Sequence, residues 1–263
     1  MAGAGYWSDG STFSVGIKEN NFKGEGISLN TRISLTEETV KGFFEYTHPN
    51  FAYSDRALST SIESSVTDKL TDFGYKSSLN KVSLGTNYEQ YEDTFFSPSL
   101  SISNETLDTT NTASAAYKKQ EGSYFDTTFD YGLTYDKRNS AYQASSGFYS
   151  SWYQQLPIIS ENQTIINGYN ITGYKEVADD MIVSSGIYSR AVNSLSNDDV
   201  RVSQRIFAPS SRLRGFESGK VGPVDGTDHI GGNYVVTLNT SSTVPYILQT
   251  QENMDLKVFF DAG

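Results

Sequence analysis

The stretch YFDTTFDYGLTYD, residues 124–136, alternates between two kinds of side chain at every second position. One set is mostly apolar or aromatic and includes Phe125 and Leu133, whereas the other set is mostly polar and includes Asp126 and Asp130. Successive side chains of a β-strand point to opposite faces of a sheet. A period of two therefore predicts a strand with one apolar and one polar face.

The same alternation recurs along the chain, for example at 27–35, 58–66 and 96–103. Short polar turns and longer loops separate the alternating runs, and the longest of these loops covers about 194–232. The pattern predicts an all-β, antiparallel protein with no second domain. The predicted strands lie near 3–7, 11–19, 25–35, 39–48, 56–68, 76–88, 95–106, 123–136, 147–156, 163–176, 181–193, 233–244 and 255–263.

Composition excludes several classes of function. The chain has 263 residues, no cysteine, two distant histidines and a formal net charge of −11. These features argue against disulfides, a thiol nucleophile, a zinc centre and a nucleic-acid partner. No nucleophile and base pair, phosphate-binding glycine loop or metal cluster emerges, so we expect no enzyme, no metal and no cofactor.

Alternation alone leaves two architectures open. A soluble β-sandwich points its apolar faces inward, whereas a transmembrane β-barrel points them at lipid. Strands of about ten residues, long enough to cross a bilayer when tilted, favour the barrel. Polar faces rich in Ser, Thr, Asn and Gly, together with aromatic residues near strand ends, favour it as well. The sandwich remains the alternative on these grounds.

Several segments together resemble the barrel of the BamA-like outer-membrane assembly factors. Their superfamily includes TamA, the two-partner secretion transporters and the organelle homologues. The resemblance covers nearly the whole chain. It is carried by RIFAPSSRLRGFESGKVGP (205–223), GGNYVVTL (231–238), VFFDAG (258–263), NNFKGEG (20–26), THPNF (47–51) and YDKRNSAYQASSGF (135–148).

The resemblance implies a transmembrane β-barrel of sixteen strands, of which residues 1–263 supply about twelve or thirteen. We therefore expect a barrel domain truncated at both ends. The implied location is the bacterial outer membrane, and the implied activity is folding and insertion of other β-barrel proteins. The implied partners are unfolded outer-membrane proteins, assembly lipoproteins and the lipid bilayer. Alternatives are a secretion or translocation transporter of the same superfamily, or a passive porin or soluble adhesin domain.

The resemblance also implies a role for the long loop. In the family this loop folds back into the barrel and places the arginine of an Arg-Gly-Phe/Tyr motif against acidic residues of the inner wall. Here the motif is Arg214, Gly215 and Phe216, and alternation at 256–261 turns Asp261 inward. We expect an Arg214–Asp261 pair, with Gly215 permitting a tight bend and Phe216 wedged against the wall.

A second wall acid is usual in the family, but the alignment places Ser241 at that position. Asp126 or Asp130, as lumen acids, could serve Arg214 instead. The possible supporting residues of this loop site are Arg212, Glu217, Ser241, Asp126 and Asp130.

Overall fold

The computed structural model describes residues 2–7, 10–36, 38–70, 74–111, 113–217, 219–226, 228–245 and 256–263. Thirteen antiparallel strands form one sheet, in which each strand pairs with its neighbour along the chain. The strands of this sheet are β1 (Ala2–Trp7), β2 (Gly10–Phe22), β3 (Ile27–Leu35), β4 (Thr39–His48), β5 (Ala57–Lys69), β6 (Tyr75–Tyr91), β7 (Thr94–Thr109), β8 (Gly122–Asp136), β9 (Ser146–Ser160), β10 (Thr164–Ala178), β11 (Met181–Ser194), β14 (Tyr234–Thr243) and β15 (Lys257–Ala262). A two-stranded hairpin, β12 (Val224–Asp225) and β13 (Asp228–His229), lies between β11 and β14.

The all-β antiparallel fold predicted from the alternation is confirmed, and every predicted strand has a counterpart in the sheet. The short helical segments are α1 (Ala115–Lys118) and two 3-10 turns, Phe51–Tyr53 and Val202–Gln204. No helix in the described part of the chain combines the length and the apolar character that a membrane crossing requires.

The two faces of the sheet are inverted relative to a soluble protein. On the outer face Ile33, Leu100 and Phe129 are 54%, 45% and 36% exposed. On the inner face the polar side chains of Ser101 and Asp130 are buried. A soluble sandwich would bury the apolar side chains instead, so that alternative does not fit.

Hydroxyl and amide groups on the inner face bond to one another across neighbouring strands. Ser83 and Ser101 lie 2.9 Å apart through their Oγ atoms, and the Ser101 hydroxyl also donates to Asp130 Oδ2 at 2.8 Å. Buried polar groups must find partners, and these cross-strand bonds supply them. The inner wall is therefore a polar, hydrogen-bonded surface.

The lumen loop, residues 195–233 apart from 218 and 227, packs against the inner face of the sheet. Val202 joins an apolar cluster with Tyr75, Leu107 and Tyr117. A second cluster contains loop residues Val200 and Ile206 with Ile166 and Val192 of the wall. Because one loop touches strands as distant as β6 and β11, the sheet must curve around it.

The connection between β7 and β8 closes over the same end of the sheet. The Tyr117 hydroxyl of α1 donates to the His229 carbonyl at 2.7 Å, and Asp228 Oδ2 accepts from the Ser114 N–H at 2.9 Å. Burial raises the pKa of Tyr117, which keeps its hydroxyl a donor. These bonds hold the β12–β13 hairpin against α1.

Candidate functional site

The structure places the Arg214 guanidinium directly against Asp261 of β15. Arg214 Nε donates to Asp261 Oδ2 and Nη2 donates to Oδ1, both at 2.7 Å. The backbone N–H of Arg214 donates to the same carboxylate at 3.1 Å. The Arg214 Cζ also lies 3.6 Å from the ring centroid of Phe259, which is on the same inward face of β15. Paired nitrogens on paired oxygens fix orientation as well as distance.

Local backbone features bring these groups together. Alternation along β15 turns Val258 and Phe260 outward, where they are 58% and 62% exposed, and turns Asp261 inward. The Asp261 side chain is 3% exposed, whereas that of Arg214 is 37% exposed. Gly215 has φ +89°, a region that non-glycine residues rarely adopt. The chain can therefore reverse direction immediately after Arg214.

The wall residue beside Asp261 is Asn239 rather than Ser241, so that expectation was wrong. The register pairs Asn239 with Asp261 and Ser241 with Phe259. Asn239 Nδ2 donates to Asp261 Oδ1 at 2.9 Å and to the Arg212 carbonyl at 2.6 Å. Ser241 Oγ lies 2.8 Å from Ser184 Oγ instead. A neutral amide therefore bridges the wall and the loop.

The other motif residues differ in their surroundings. Phe216 is 57% exposed and is not wedged into the wall, which corrects that expectation. Glu217 is also exposed, and its carbonyl accepts from the Lys220 N–H at 3.3 Å. Arg212 Nη2 donates to Asn170 Oδ1 at 3.1 Å, and its Cζ lies 5.3 Å from the Tyr188 ring centroid.

Asp130, expected as an alternative partner of Arg214, belongs to a separate part of the wall. It accepts from the hydroxyls of Ser101 at 2.8 Å and Tyr153 at 3.3 Å, and Lys81 Nζ lies 4.0 Å away. These groups line a cavity of about 280 Å³. Asp130 thus supports the inner wall and does not contact the loop motif.

Asp126, the other expected alternative, binds a different loop arginine. Arg201 Nη1 donates to Asp126 Oδ2 at 3.0 Å and to Glu105 Oε2 at 2.8 Å, and Nη2 donates to Asp126 Oδ1 at 3.2 Å. The Arg201 side chain is 1% exposed, and its Cζ lies 4.1 Å from the Tyr124 ring centroid. Burial by itself lowers the pKa of Arg201, but the Asp126 hydrogen bond and the Glu105 charge outweigh it and raise the pKa.

The sequence reasoning missed Arg201 and Glu105. Glu105 carries a visible signal, because it is a lone acid on the serine-lined inner face of β7. Arg201 offers no such signal, since it is one of several arginines in a polar loop and lies outside the motif.

A polar cavity of about 460 Å³ lies beside the loop motif. Its lining includes Arg138, Arg212 and Arg214, along with polar residues of β10, β11 and β14. Arg138 is held by Asp136, whose Oδ2 accepts from Nη2 at 2.7 Å. In the described part of the chain, no group of three or more His, Cys, Asp or Glu residues could hold a metal ion.

Solved structures share this architecture. BamA from Haemophilus ducreyi lacking POTRA domains 1-3 matches with a TM-score of 0.86 and 20% identity, over 99% of this chain and 55% of that chain. CdiB from Acinetobacter baumannii matches with a TM-score of 0.53 and 12% identity, over 98% and 47%. The chain therefore spans about half the length of the structures that it matches.

No curated protein matches the sequence. The sequence model of the Omp85 superfamily domain matches residues 21–263, nearly the whole chain. This match and the shared fold lead to one conclusion: the chain belongs to the Omp85 superfamily.

Proposed function

We propose that residues 1–263 form part of the outer-membrane β-barrel domain of a BamA-like assembly factor, which folds and inserts other β-barrel proteins. The observation that carries the proposal is the loop tip inside the sheet, where Arg214 binds Asp261. The superfamily match and the likeness to the Haemophilus ducreyi BamA structure support it. The proposed domain includes the lumen loop as its functional element.

The proposed location is the bacterial outer membrane, with the apolar outer face against lipid. Exposed side chains such as Leu100, Val236 and Phe260 would lie in water if the sheet were soluble. Contact with acyl chains removes that cost. The bilayer is accordingly one of the proposed partners, beside unfolded outer-membrane proteins and assembly lipoproteins.

The proposed mechanism is templated strand pairing. A sheet edge offers unpaired N–H and C=O groups that an incoming strand can satisfy. Inside a bilayer those groups have no water, so pairing strongly favours strand addition. In this mechanism the present chain supplies the wall and the lumen loop, and it acts without a catalytic group or cofactor.

The proposal is tested by Arg214→Ala in the complete protein that contains this chain, expressed as the sole copy in its own bacterium. We expect fewer correctly folded outer-membrane barrels, measured by heat-modifiable gel mobility, at an unchanged level of the variant itself. Arg205→Ala, in the same loop, is the matched control. Normal levels of folded barrels in the Arg214→Ala strain would count against the proposal.

A second candidate is a secretion transporter, because the family match covers the superfamily and not one branch of it. This candidate predicts that depletion of the complete protein removes one secreted partner from the medium. Assembly of the other outer-membrane proteins would then continue. Measuring both in one depletion experiment separates the two functions.

A further inference from the structure

The lumen loop contacts the wall through two arginines that are far apart along the sheet. Arg201 contacts β7 and β8, whereas Arg214 contacts β15. Five strand spacings separate β8 from β15 in the sheet order, which is about 24 Å at the usual spacing. The loop root (residues 200–206) and the loop tip (residues 211–216) thus have separate attachment points.

The root attachment is the more completely buried of the two. The side chains of Arg201, Glu105 and Asp126 are 1%, 8% and 9% exposed. Further donors complete the shells of both carboxylates: Ser77 donates to Glu105 Oε1 at 2.6 Å and Ser160 donates to Asp126 Oδ1 at 2.5 Å. Without the arginine, two buried carboxylates would face one cavity with only hydroxyl donors, which is strongly unfavourable.

Further hydrogen bonds of the loop root form beside Arg201. The Ser203 hydroxyl donates to Glu105 Oε2 at 2.9 Å, and the Val202 N–H donates to Gln120 Oε1 at 2.7 Å. The Arg201 carbonyl accepts from the N–H groups of Gln204 and Arg205. The 3-10 turn at the root is therefore built around Arg201.

We propose that Arg201, with Glu105 and Asp126, is a second anchor that holds the loop root independently of the Arg214–Asp261 pair. When the tip leaves β15, the root stays on β7 and β8, and the loop pivots about Arg201 without leaving the lumen. Sites this far apart that share no partner contribute additively to stability. The inference concerns retention of the loop, and it stands or falls separately from the proposed assembly activity.

The test is hydrogen–deuterium exchange on the complete protein in lipid vesicles, comparing Arg201→Gln, Arg214→Gln and their combination. Arg201→Gln is expected to speed exchange at the root by at least about tenfold and to leave the tip protected. Arg214→Gln is expected to do the reverse, and the double variant to show the sum. Loss of protection at root and tip together in either single variant, or an unchanged root in Arg201→Gln, would overturn the proposal.

Matched variants separate charge pairing from simple packing. Arg205→Gln removes an arginine of the same segment whose Nε donates to the neutral Val200 carbonyl at 3.2 Å, and it should speed root exchange much less than Arg201→Gln does. Arg201→Lys keeps the charge and should restore part of the protection, whereas Arg201→Met keeps the apolar stem and should not. Equal protection in the Lys and Met variants would show that packing alone holds the root.

A milder change covers the case in which Arg201→Gln does not fold. Ser203→Ala removes one hydroxyl donor to Glu105 and should give a smaller increase in exchange confined to the root. Unchanged root exchange in this variant would count against the anchor.

Discussion

Replacing Arg214 should destabilise the closed loop tip more than replacing Asp261, because the Asp261 side chain is buried more deeply than the Arg214 side chain. The Asp261 side chain is 3% exposed, whereas the Arg214 side chain is 37% exposed. Arg214→Gln leaves a buried carboxylate with the Asn239 amide and one backbone N–H as donors. Asp261→Asn leaves a guanidinium that can turn to water in the adjacent cavity.

The burial of each side chain sets the free-energy cost of losing its partner. Removing one member of a buried pair costs about 3–5 kcal/mol, and the wet cavity reduces this to about 2–3 kcal/mol for Arg214→Gln. A partly exposed arginine that loses its partner costs about 1 kcal/mol, as for surface pairs. The difference of about 1–2 kcal/mol corresponds to roughly a tenfold difference in how often the loop tip opens.

Amide exchange at the loop tip measures this opening in vesicles containing the complete protein. Arg214→Gln should open the tip more often than Asp261→Asn does. The double variant should resemble Asp261→Asn, because no buried carboxylate remains. Arg212→Gln is the control, since its guanidinium donates to the neutral Asn170 amide.

The reasoning is refuted if Asp261→Asn opens the tip as much as Arg214→Gln, or more. It is refuted equally if the double variant is worse than Arg214→Gln alone. Either result would mean that burial of the carboxylate does not set the cost.

Three further predictions concern the wall. Asn239→Ala removes donors to Asp261 and to the Arg212 carbonyl, so tip opening should become easier by about 1–2 kcal/mol in the same exchange assay; an unchanged tip would contradict the bridge. Gly186→Ala would place Cβ 2.6 Å from Thr172 Oγ1 and 2.7 Å from the Ile171 carbonyl, so urea unfolding in vesicles should show a loss of about 1–3 kcal/mol. Gly173→Ala, with nothing within 4 Å of its Cβ, should change stability by less than about 0.5 kcal/mol, and equal losses would refute the close-approach argument. Leu100→Lys puts a charge on the outer face and should cost about 2–4 kcal/mol of unfolding free energy in the same measurement. Ser99 faces the wet interior near Asp130, so Ser99→Lys should be tolerated. The opposite order of the two costs would reverse the assignment of faces.

Much of the fold could be predicted from the sequence, because a strand that lies between an apolar and a polar environment alternates apolar and polar residues. The stretch at 124–136 predicts a strand with one apolar and one polar face, and β8 has both. Alternation does not reveal which face is wet. The structure answers that question, because Ile33 and Leu100 are exposed whereas Asp130 is buried.

The loop site was less predictable, because it depends on pairing between distant segments. Alternation along β15 alone predicts that Asp261 points inward, but its neighbour depends on the register between β14 and β15. That register makes Asn239 the neighbour, whereas alignment by motif pointed to Ser241. Arg201 could not be found in the same way, since nothing local distinguishes it from a solvated arginine and its partners lie 96 and 75 positions away.

The Arg214–Asp261 contact depends on the register of β15 against β14, because it forms only when the Asp261 side chain points inward. Side chains alternate at every residue, so a slip of one position against β14 would point Asp261 at the acyl chains and Phe260 at the guanidinium. A slip of two would restore parity but would move the carboxylate past Asn239, and its amide bridge would break. The Arg214–Asp261 pair and the Asn239 hydrogen bond form together in one register of β15 only, so a chain with β15 in another register cannot hold the loop tip against the wall.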